Sequence, residues 1–316
     1  MTNVRAVVVD RTGNEPLVLR QVPLAPANRD EVTVKVTTIS LNRGETNRAV
    51  RSAETGWRPG WDFVGVVDEA APEGGGPAVG TRVVGLLPSG AWAERVRAPK
   101  SSVAPLPEGV SDAAASTLPV AGLTALHALR QGGMLLGRKV LIDGASGGVG
   151  HLACQMAAAS GALVHGHVRN PAYQAMVREW CGDRTIVASD LSAAAAFGSF
   201  DLILDSLGGS ALATALSMLR PGGTCVTFGV SEAPVCTFES GGFFRGGGTK
   251  LYGLILFHEL ARVEPASEGL AMLAGLAASG TLRPRIEIEA PWTEIAAVAR
   301  QLLDRNFMGK AVLHVG

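Results

Sequence analysis

The stretch Gly144-Ala145-Ser146-Gly147-Gly148-Val149-Gly150 carries the clearest chemistry in the chain. It follows Val140–Ile142, an apolar run of the kind a fully buried parallel strand shows. A helix-forming segment, His151–Ser160, comes next. Strand, glycine turn and helix in that order suit a pyrophosphate. The glycines let the backbone come close, and the helix start offers unpaired N–H groups and the positive end of a dipole. Glycines at such spacing also make plain packing turns; the flanking strand and helix are what favour a dinucleotide.

A second position bears on which dinucleotide. About twenty residues past such a turn, NAD-specific chains carry Asp or Glu to bond the ribose 2′-hydroxyl. Here the strand runs Val164-His165-Gly166-His167-Val168-Arg169-Asn170, with Val168 in the acid's place and Arg169 after it. A phosphate of nearly two charges would be repelled by an acid and is held well by a planar guanidinium. The expected cofactor is therefore NADPH, the bland alternative being that Arg169 is a solvated surface charge.

The elements that must position these groups fall into two textures. Residues 1–110 read as short strands (Val4–Asp10, Leu17–Val22, Val32–Leu41, Phe63–Asp68, Arg82–Leu87, Trp92–Arg97) bounded by Gly, Pro or Asn, with Pro72–Gly80 a glycine-rich loop. Ser111 opens an Ala-rich helix, interrupted at Pro119 and resumed through Leu129. From 138 strands and helices alternate, with strands at Val140–Ile142, Leu163–Val168, Thr185–Ala188, Leu202–Asp205, Cys225–Phe228 and Leu251–Leu256. Pro221-Gly222-Gly223 reads as a stop, and Gly241–Gly248 as a loop too glycine-rich for regular structure. This rhythm predicts a doubly wound parallel sheet, and the tail after 257 leaves it.

Composition narrows the partners. With 28 Lys+Arg against 28 Asp+Glu there is no basic field to attract nucleic acid or anionic lipid. At 47% hydrophobic and without an apolar run near the ~20 residues that span a bilayer, the chain is expected to be soluble and cytoplasmic. Cys154, Cys181, Cys225 and Cys236 are too scattered for a disulfide frame or a thiolate metal site. His165 and His167 share one face of a strand, and are read as core histidines rather than a metal pair.

The glycine spacing also fits short-chain dehydrogenases, but those need a Tyr-x-x-x-Lys base, and Tyr173 and Tyr252 are followed four residues on by Val177 and Leu256. The chain instead resembles the medium-chain dehydrogenase/reductase superfamily, and within it the zinc-free quinone oxidoreductases. The resemblance rests on Ser40-Leu41-Asn42-Arg43-Gly44, Gly60-Trp61-Asp62-Phe63-Val64-Gly65, Gly80-Thr81-Arg82-Val83, Ala121-Gly122-Leu123-Thr124-Ala125, Gly144–Gly150 and Gly309-Lys310-Ala311-Val312-Leu313. It implies an α/β protein: a GroES-like β-rich domain (1–117), a Rossmann doubly wound parallel-sheet domain (118–256) and a C-terminal return (257–316).

The resemblance also implies site residues. Ser146, Gly147, Gly148 and Val149 would hold the pyrophosphate through backbone N–H groups. Asn42, Thr124, Leu207, Phe228, Gly229, Phe307 and Gly309 would line the nicotinamide, in the cleft between domains. Tyr173 stands where relatives often carry a lysine for the 2′-phosphate, and could supply a hydroxyl or pack on adenine. Where zinc-dependent relatives bind metal, this chain has no cysteine before 154 and has Trp61 in place of the ligand histidine, so no catalytic zinc is expected.

Without a metal, an acceptor activated by conjugation is expected: a quinone or an α,β-unsaturated carbonyl. The Asn42 amide and the Trp61 indole N–H are the candidate catalytic donors to a developing enolate oxygen, with water as proton source. Asn42 could equally cap its own backbone, and Trp61 could simply pack as wall. Arg43, Arg48 and Asp62 would be near, either to hold an anionic substrate group or as surface ion pairs. The apolar edge strand Leu251–Leu256 would be covered by a twin across a two-fold, giving a homodimer. The rival readings are an enoyl-thioester reductase and a non-catalytic NADPH-binding protein.

Overall fold

The computed structural model describes residues 2–316, and the chain forms two compact units. One runs up to Leu123 and takes in Leu260–Gly316; the other is Thr124–Glu259. The divisions thus fall at 123/124 and 259/260, against the expected 117/118 and 256/257. The strands, in chain order, begin with β1 (Asn3–Val9), β2 (Leu17–Pro23), β3 (Glu31–Ser40), β4 (Asp62–Glu69), β5 (Arg82–Leu86), β6 (Arg95–Pro99) and β7 (Val103–Pro105). The second unit contributes β8 (Lys139–Asp143), β9 (Leu163–Val168), β10 (Thr185–Val187), β11 (Phe200–Asp205), β12 (Leu219–Thr227) and β13 (Lys250–Gly253). The return adds β14 (Ile286–Pro291) and β15 (Lys310–His314).

In the first unit β1 and β2 form an antiparallel pair, and a larger sheet runs β14-β15-β3-β4-β5-β7 with β6 also on β3. The late strand β15 joins antiparallel to β3 with Val312 opposite Ser40, so the return completes the sheet that carries the Asn42 segment. Phe63, Trp92 and Trp292 are buried at its core. Trp92 is not the start of a strand as expected: it lies in a buried loop, its indole N–H donating to Ser40 O at 3.3 Å, and β6 begins only at Arg95.

The interrupted helix is present as Asp112–Ser116, a wider-wound turn at Leu118–Gly122, and a helix at Leu123–Arg130. Pro119 has no N–H to give, and the N–H of Val120 donates to Asp62 Oδ1 at 3.0 Å.

The second unit is a six-stranded sheet in the order β10-β9-β8-β11-β12-β13, every pair parallel. Numbered from β8, the order is 3-2-1-4-5-6, the doubly wound arrangement with its reversal between β8 and β11. Ligands in such sheets bind outside the carboxyl ends of the strands at that reversal.

Pro221-Gly222-Gly223, read as the stop of the preceding helix, follows that helix's end at Ser217 and lies inside β12, with Gly222 at φ +73° and a register shift against β11. Two local expectations are corrected. Gly241–Gly248 is not all loop, because Ser240–Arg245 forms a short helix whose first turn is capped by the Glu239 carboxylate accepting from Gly242 N. The last sheet strand ends at Gly253, and Leu256 begins a helix, Leu256–Arg262. At Gly241–Gly248 a side-chain cap overrides local propensity.

Candidate functional site

In the second unit, the Gly144–Gly150 turn leaves β8 and feeds the helix Gly150–Ala159. Gly144 takes φ +76°, a left-handed conformation that favours glycine. A Cβ on Gly150 would lie 2.2 Å from Gly144 O and 2.9 Å from Ala145 Cα, so the helix can begin this close to the strand only with glycine there. Within the turn Gly147 N donates to Gly144 O at 2.9 Å, and His151 N to Gly147 O at 3.1 Å. Among the described residues, the N–H groups of Ser146, Gly148 and Val149 have no acceptor in the chain. Gly147 is exposed, and a Cβ there would meet only Gly144 O, at 3.3 Å. An open cradle of unpaired amides at the start of a helix fits a pyrophosphate.

Beneath the cradle the strand ends carry buried polar groups. Asp143, the last residue of β8, accepts from His167 Nδ1 at 2.8 Å, and His167 Nε2 meets Ala188 O at 3.1 Å. His165 lies edge-on between Phe197 and Phe200, with ring centroids 5.0 and 5.1 Å away, and burial lowers its pKa. Both are core histidines with partners. Asp205 at the end of β11 is held by Thr227 Oγ1 (2.9 Å) and by the N–H groups of Leu207 and Gly208 (each 3.2 Å), while burial raises its pKa. That carboxylate fixes the Leu207–Gly209 turn. Phe228 N donates to Asp205 O, and a Cβ on Gly229 would come 2.9 Å from Ser206 O, so this strand end packs directly on the same turn.

At the end of β9 Val168 is buried and Arg169 is exposed, its Nη1 3.3 Å from Glu232 Oε1. Asn170 caps the short turn Pro171–Tyr173 by accepting from Ala172 N at 3.0 Å, and Tyr173 is half-buried at its end. Thr124 is buried in the first turn of the helix Leu123–Arg130. The second tyrosine, Tyr252 on β13, gives its hydroxyl proton to Glu259 Oε1 at 2.6 Å.

In the first unit, Asn42 ends the segment after β3 and precedes the helix Arg43–Arg51. Both hydrogens of its amide nitrogen are committed, to Glu45 Oε1 at 2.9 Å and Asp62 Oδ2 at 2.7 Å. Its amide oxygen accepts from Lys310 Nζ at 2.6 Å, and its backbone N–H donates to Glu45 Oε1 at 3.1 Å. Asp62 accepts in addition from Ser40 Oγ at 2.7 Å. Glu45, Asp62 and Lys310 are each almost wholly buried. Burial first, then the Asp62 charge, pushes the Glu45 carboxyl well above the usual carboxylate range. Burial lowers the Lys310 ammonium, opposed by Asp62 and Glu45.

Both candidate donors, Asn42 and Trp61, have partners within the chain. The Trp61 N–H donates to Pro88 O at 3.0 Å and its ring packs over Gly44, where a Cβ would meet it at 3.0 Å. The nearby arginines are likewise engaged: Arg43 donates to Leu302 O at 3.0 Å, and Arg48 stacks 4.6 Å over the Trp57 ring. Phe307 is half-buried, and Gly309, at φ +68°, would place a Cβ 2.3 Å from Arg285 O. Sequence reasoning missed Glu45 and Lys310, although Lys310 stands inside the quoted Gly309–Leu313 segment and Glu45 three residues past Asn42, the spacing of a capping box.

Residues 28–108 match the family described as alcohol dehydrogenase GroES-like domain, and residues 148–270 the one described as zinc-binding dehydrogenase. A mycocerosic acid synthase-like polyketide synthase of Mycobacterium tuberculosis is 29% identical over 304 residues, covering 92% of this chain and 14% of that protein. The chain thus spans a small part of that relative's length. An acryloyl-coenzyme A reductase of Metallosphaera sedula is 28% identical over 224 residues, 71% of this chain and 65% of that one. The quinone oxidoreductase of Pseudomonas syringae pv. Tomato DC3000 superposes with a TM-score of 0.87 at 25% identity, over 99% of this chain and 100% of that one. The donors for a zinc ion do not accompany the second family description: among the described residues no group of three or more His, Cys, Asp or Glu side chains could hold a metal.

Proposed function

Because the chain belongs to the medium-chain dehydrogenase/reductase superfamily, whose fold carries a nicotinamide-dinucleotide domain, we propose that it is an NADPH-dependent, zinc-independent reductase of quinones or α,β-unsaturated carbonyls. The observation that carries the reading is the open turn of unpaired amides at the sheet reversal, with an arginine and no acid at the end of β9. The bound cofactor supplies the hydride. Ser146, Gly148 and Val149 bind its pyrophosphate through their free N–H groups. Gly147, whose N–H is taken by Gly144 O, keeps the approach open, and Arg169, aided by Tyr173, takes the 2′-phosphate. Within the second unit, Thr124, Leu207, Phe228 and Gly229 shape the nicotinamide's surroundings. In the first unit Asn42 and Trp61, their N–H donors taken by partners within the chain, serve the acceptor as wall, and water supplies the proton. An acceptor whose conjugation spreads the charge left by hydride addition suits a chain in which, among the described residues, no three or more His, Cys, Asp or Glu side chains are grouped to hold a metal.

The enoyl-thioester reading is the narrower form of the same chemistry, since an enoyl thioester is itself an α,β-unsaturated carbonyl. It is favoured by the polyketide synthase and acryloyl-coenzyme A reductase relatives. The β13 edge exposes Leu251 (43%) and, just beyond, Ile255 (57%), which supports a homodimer paired through this edge. Oxidation of NADPH in the presence of a quinone, a simple enone and an enoyl thioester is the test. Turnover with at least one, and preference for NADPH over NADH, is expected; tight binding of NADPH without turnover on any acceptor overturns the reading.

A further inference from the structure

Arg169 and Glu232 come from strands that are not neighbours. Arg169 directly follows β9, and Glu232 lies five residues past β12. In the sheet β8 and β11 stand between β9 and β12. Three strand intervals separate those strands, about 14 Å at ~4.8 Å each. Yet the guanidinium and the carboxylate are 3.3 Å apart. The pair therefore reaches over the carboxyl ends of the two strands where the sheet order reverses, and where the amide cradle lies.

The acidic end of this bridge is anchored. Glu232 N and Ala233 N both donate to Leu207 O, at 2.9 and 3.2 Å, and Ser231 N and Oγ both donate to Ser206 O, at 3.1 and 2.9 Å. Gly208 pairs with Ala233 so closely that a Cβ on Gly208 would come 2.3 Å from Ala233 O. Glu232 is thus fixed above the β11 turn, and the long Arg169 side chain is the member that crosses.

We propose that Glu232 tempers the preference for NADPH by competing with the 2′-phosphate for Arg169. The inference rests on the NADPH reading above. In the ligand-free chain the carboxylate holds the guanidinium over the cradle. A 2′-phosphate, with nearly two charges and three acceptor oxygens, draws the same guanidinium away from it. NADH has no anion at that position, so its binding leaves the pair intact. The pair is 37% and 43% exposed, which makes it a weak competitor rather than a lock.

Calorimetric titration of NADPH and of NADH, without acceptor, into the parent chain, Glu232→Gln, Arg169→Ala and the double variant tests this. Glu232→Gln is expected to bind NADPH about 2–5-fold more tightly, the range open to an exposed pair, with NADH unchanged. The gain should shrink in high salt, where screening weakens the pair, and vanish in the Arg169→Ala background. If Glu232→Gln leaves NADPH affinity unchanged, or moves NADPH and NADH by the same factor, the competition does not exist. Arg169→Ala reports separately on the underlying reading: should it leave the NADPH-to-NADH preference unaltered, the arginine is not the 2′-phosphate site and both proposals fall.

Discussion

Lys310 Nζ lies 3.4 Å from Asp62 Oδ2 with both side chains buried, so two charges 248 residues apart in the chain meet inside one unit. Asn42 closes the group, accepting from Lys310 and donating to Asp62 and Glu45. Removing one partner of a buried pair strands the other, which costs more than the pair itself contributes. Lys310→Met is expected to lower unfolding stability by roughly 3–5 kcal/mol. Denaturant titration checks it, and a loss under about 1 kcal/mol, the scale of a surface pair, would show that Asp62 finds another partner.

Glu45 sets a pH dependence. Its carboxyl is held well above the usual range, chiefly by burial, so the folded chain keeps a proton that the unfolded chain gives up near pH 4.3. The contribution is complete below that value and is lost as pH rises toward the folded-state value, at no more than about 1.4 kcal/mol per unit. Lys310, lowered by burial, has the opposite slope: its folded form sheds a proton more readily, so its contribution grows with pH. Glu45→Gln should remove only the falling component. Relative to the parent, this variant should gain stability between pH 5 and pH 8 in parallel melts, and parallel curves would contradict a protonated Glu45.

The amide cradle separates folding from binding. Gly147→Ala meets only Gly144 O within the chain, so the variant is expected to fold with a loss of about 1 kcal/mol or less, as surface substitutions do. The added methyl projects into the open side of the turn, and NADPH affinity should fall at least tenfold by calorimetry. Gly150→Ala, whose Cβ would lie 2.2 Å from Gly144 O, should damage stability as well. Normal NADPH binding by a folded Gly147→Ala chain would place the phosphates elsewhere.

Asn42→Ala removes three side-chain hydrogen bonds at once. The expected cost is about 1–3 kcal/mol, that of leaving buried polar groups unpaired. If Asn42 holds the wall for the acceptor, steady-state kinetics should show a higher acceptor KM while NADPH affinity measured by calorimetry stays as in the parent. An equal loss in both would argue for general unfolding of the segment.

At the β13 edge, Leu251→Lys puts a charge on the exposed apolar residue of the last strand. Sedimentation should report a dimer for the parent and a monomer for the variant. A monomeric parent at working concentration removes the basis for this edge as an interface.

Several parts of this protein were legible from local pattern alone. The glycine turn announces itself because strand, turn and helix are contiguous, and its requirement for Gly150 is set by atoms only five or six residues away, Gly144 and Ala145. Alternation and turn residues likewise predicted most strands of both sheets. The strand at Trp92 and the loop at Gly241–Gly248 went astray because a tertiary bond to Ser40 and a cap from Glu239 decided them.

The amino-acid sequence by itself determined the dinucleotide-type turn, the doubly wound rhythm and the arginine without an acid at the end of β9, since each depends on neighbours along the chain. Only the tertiary structure decided that the Asn42 and Trp61 donors have partners within the chain, that Glu45, Asp62 and Lys310 share one buried group, and that Glu232 pairs with Arg169. Those contacts join residues as far as 268 positions apart. Their energies come from burial and charge proximity in space, which no local pattern encodes.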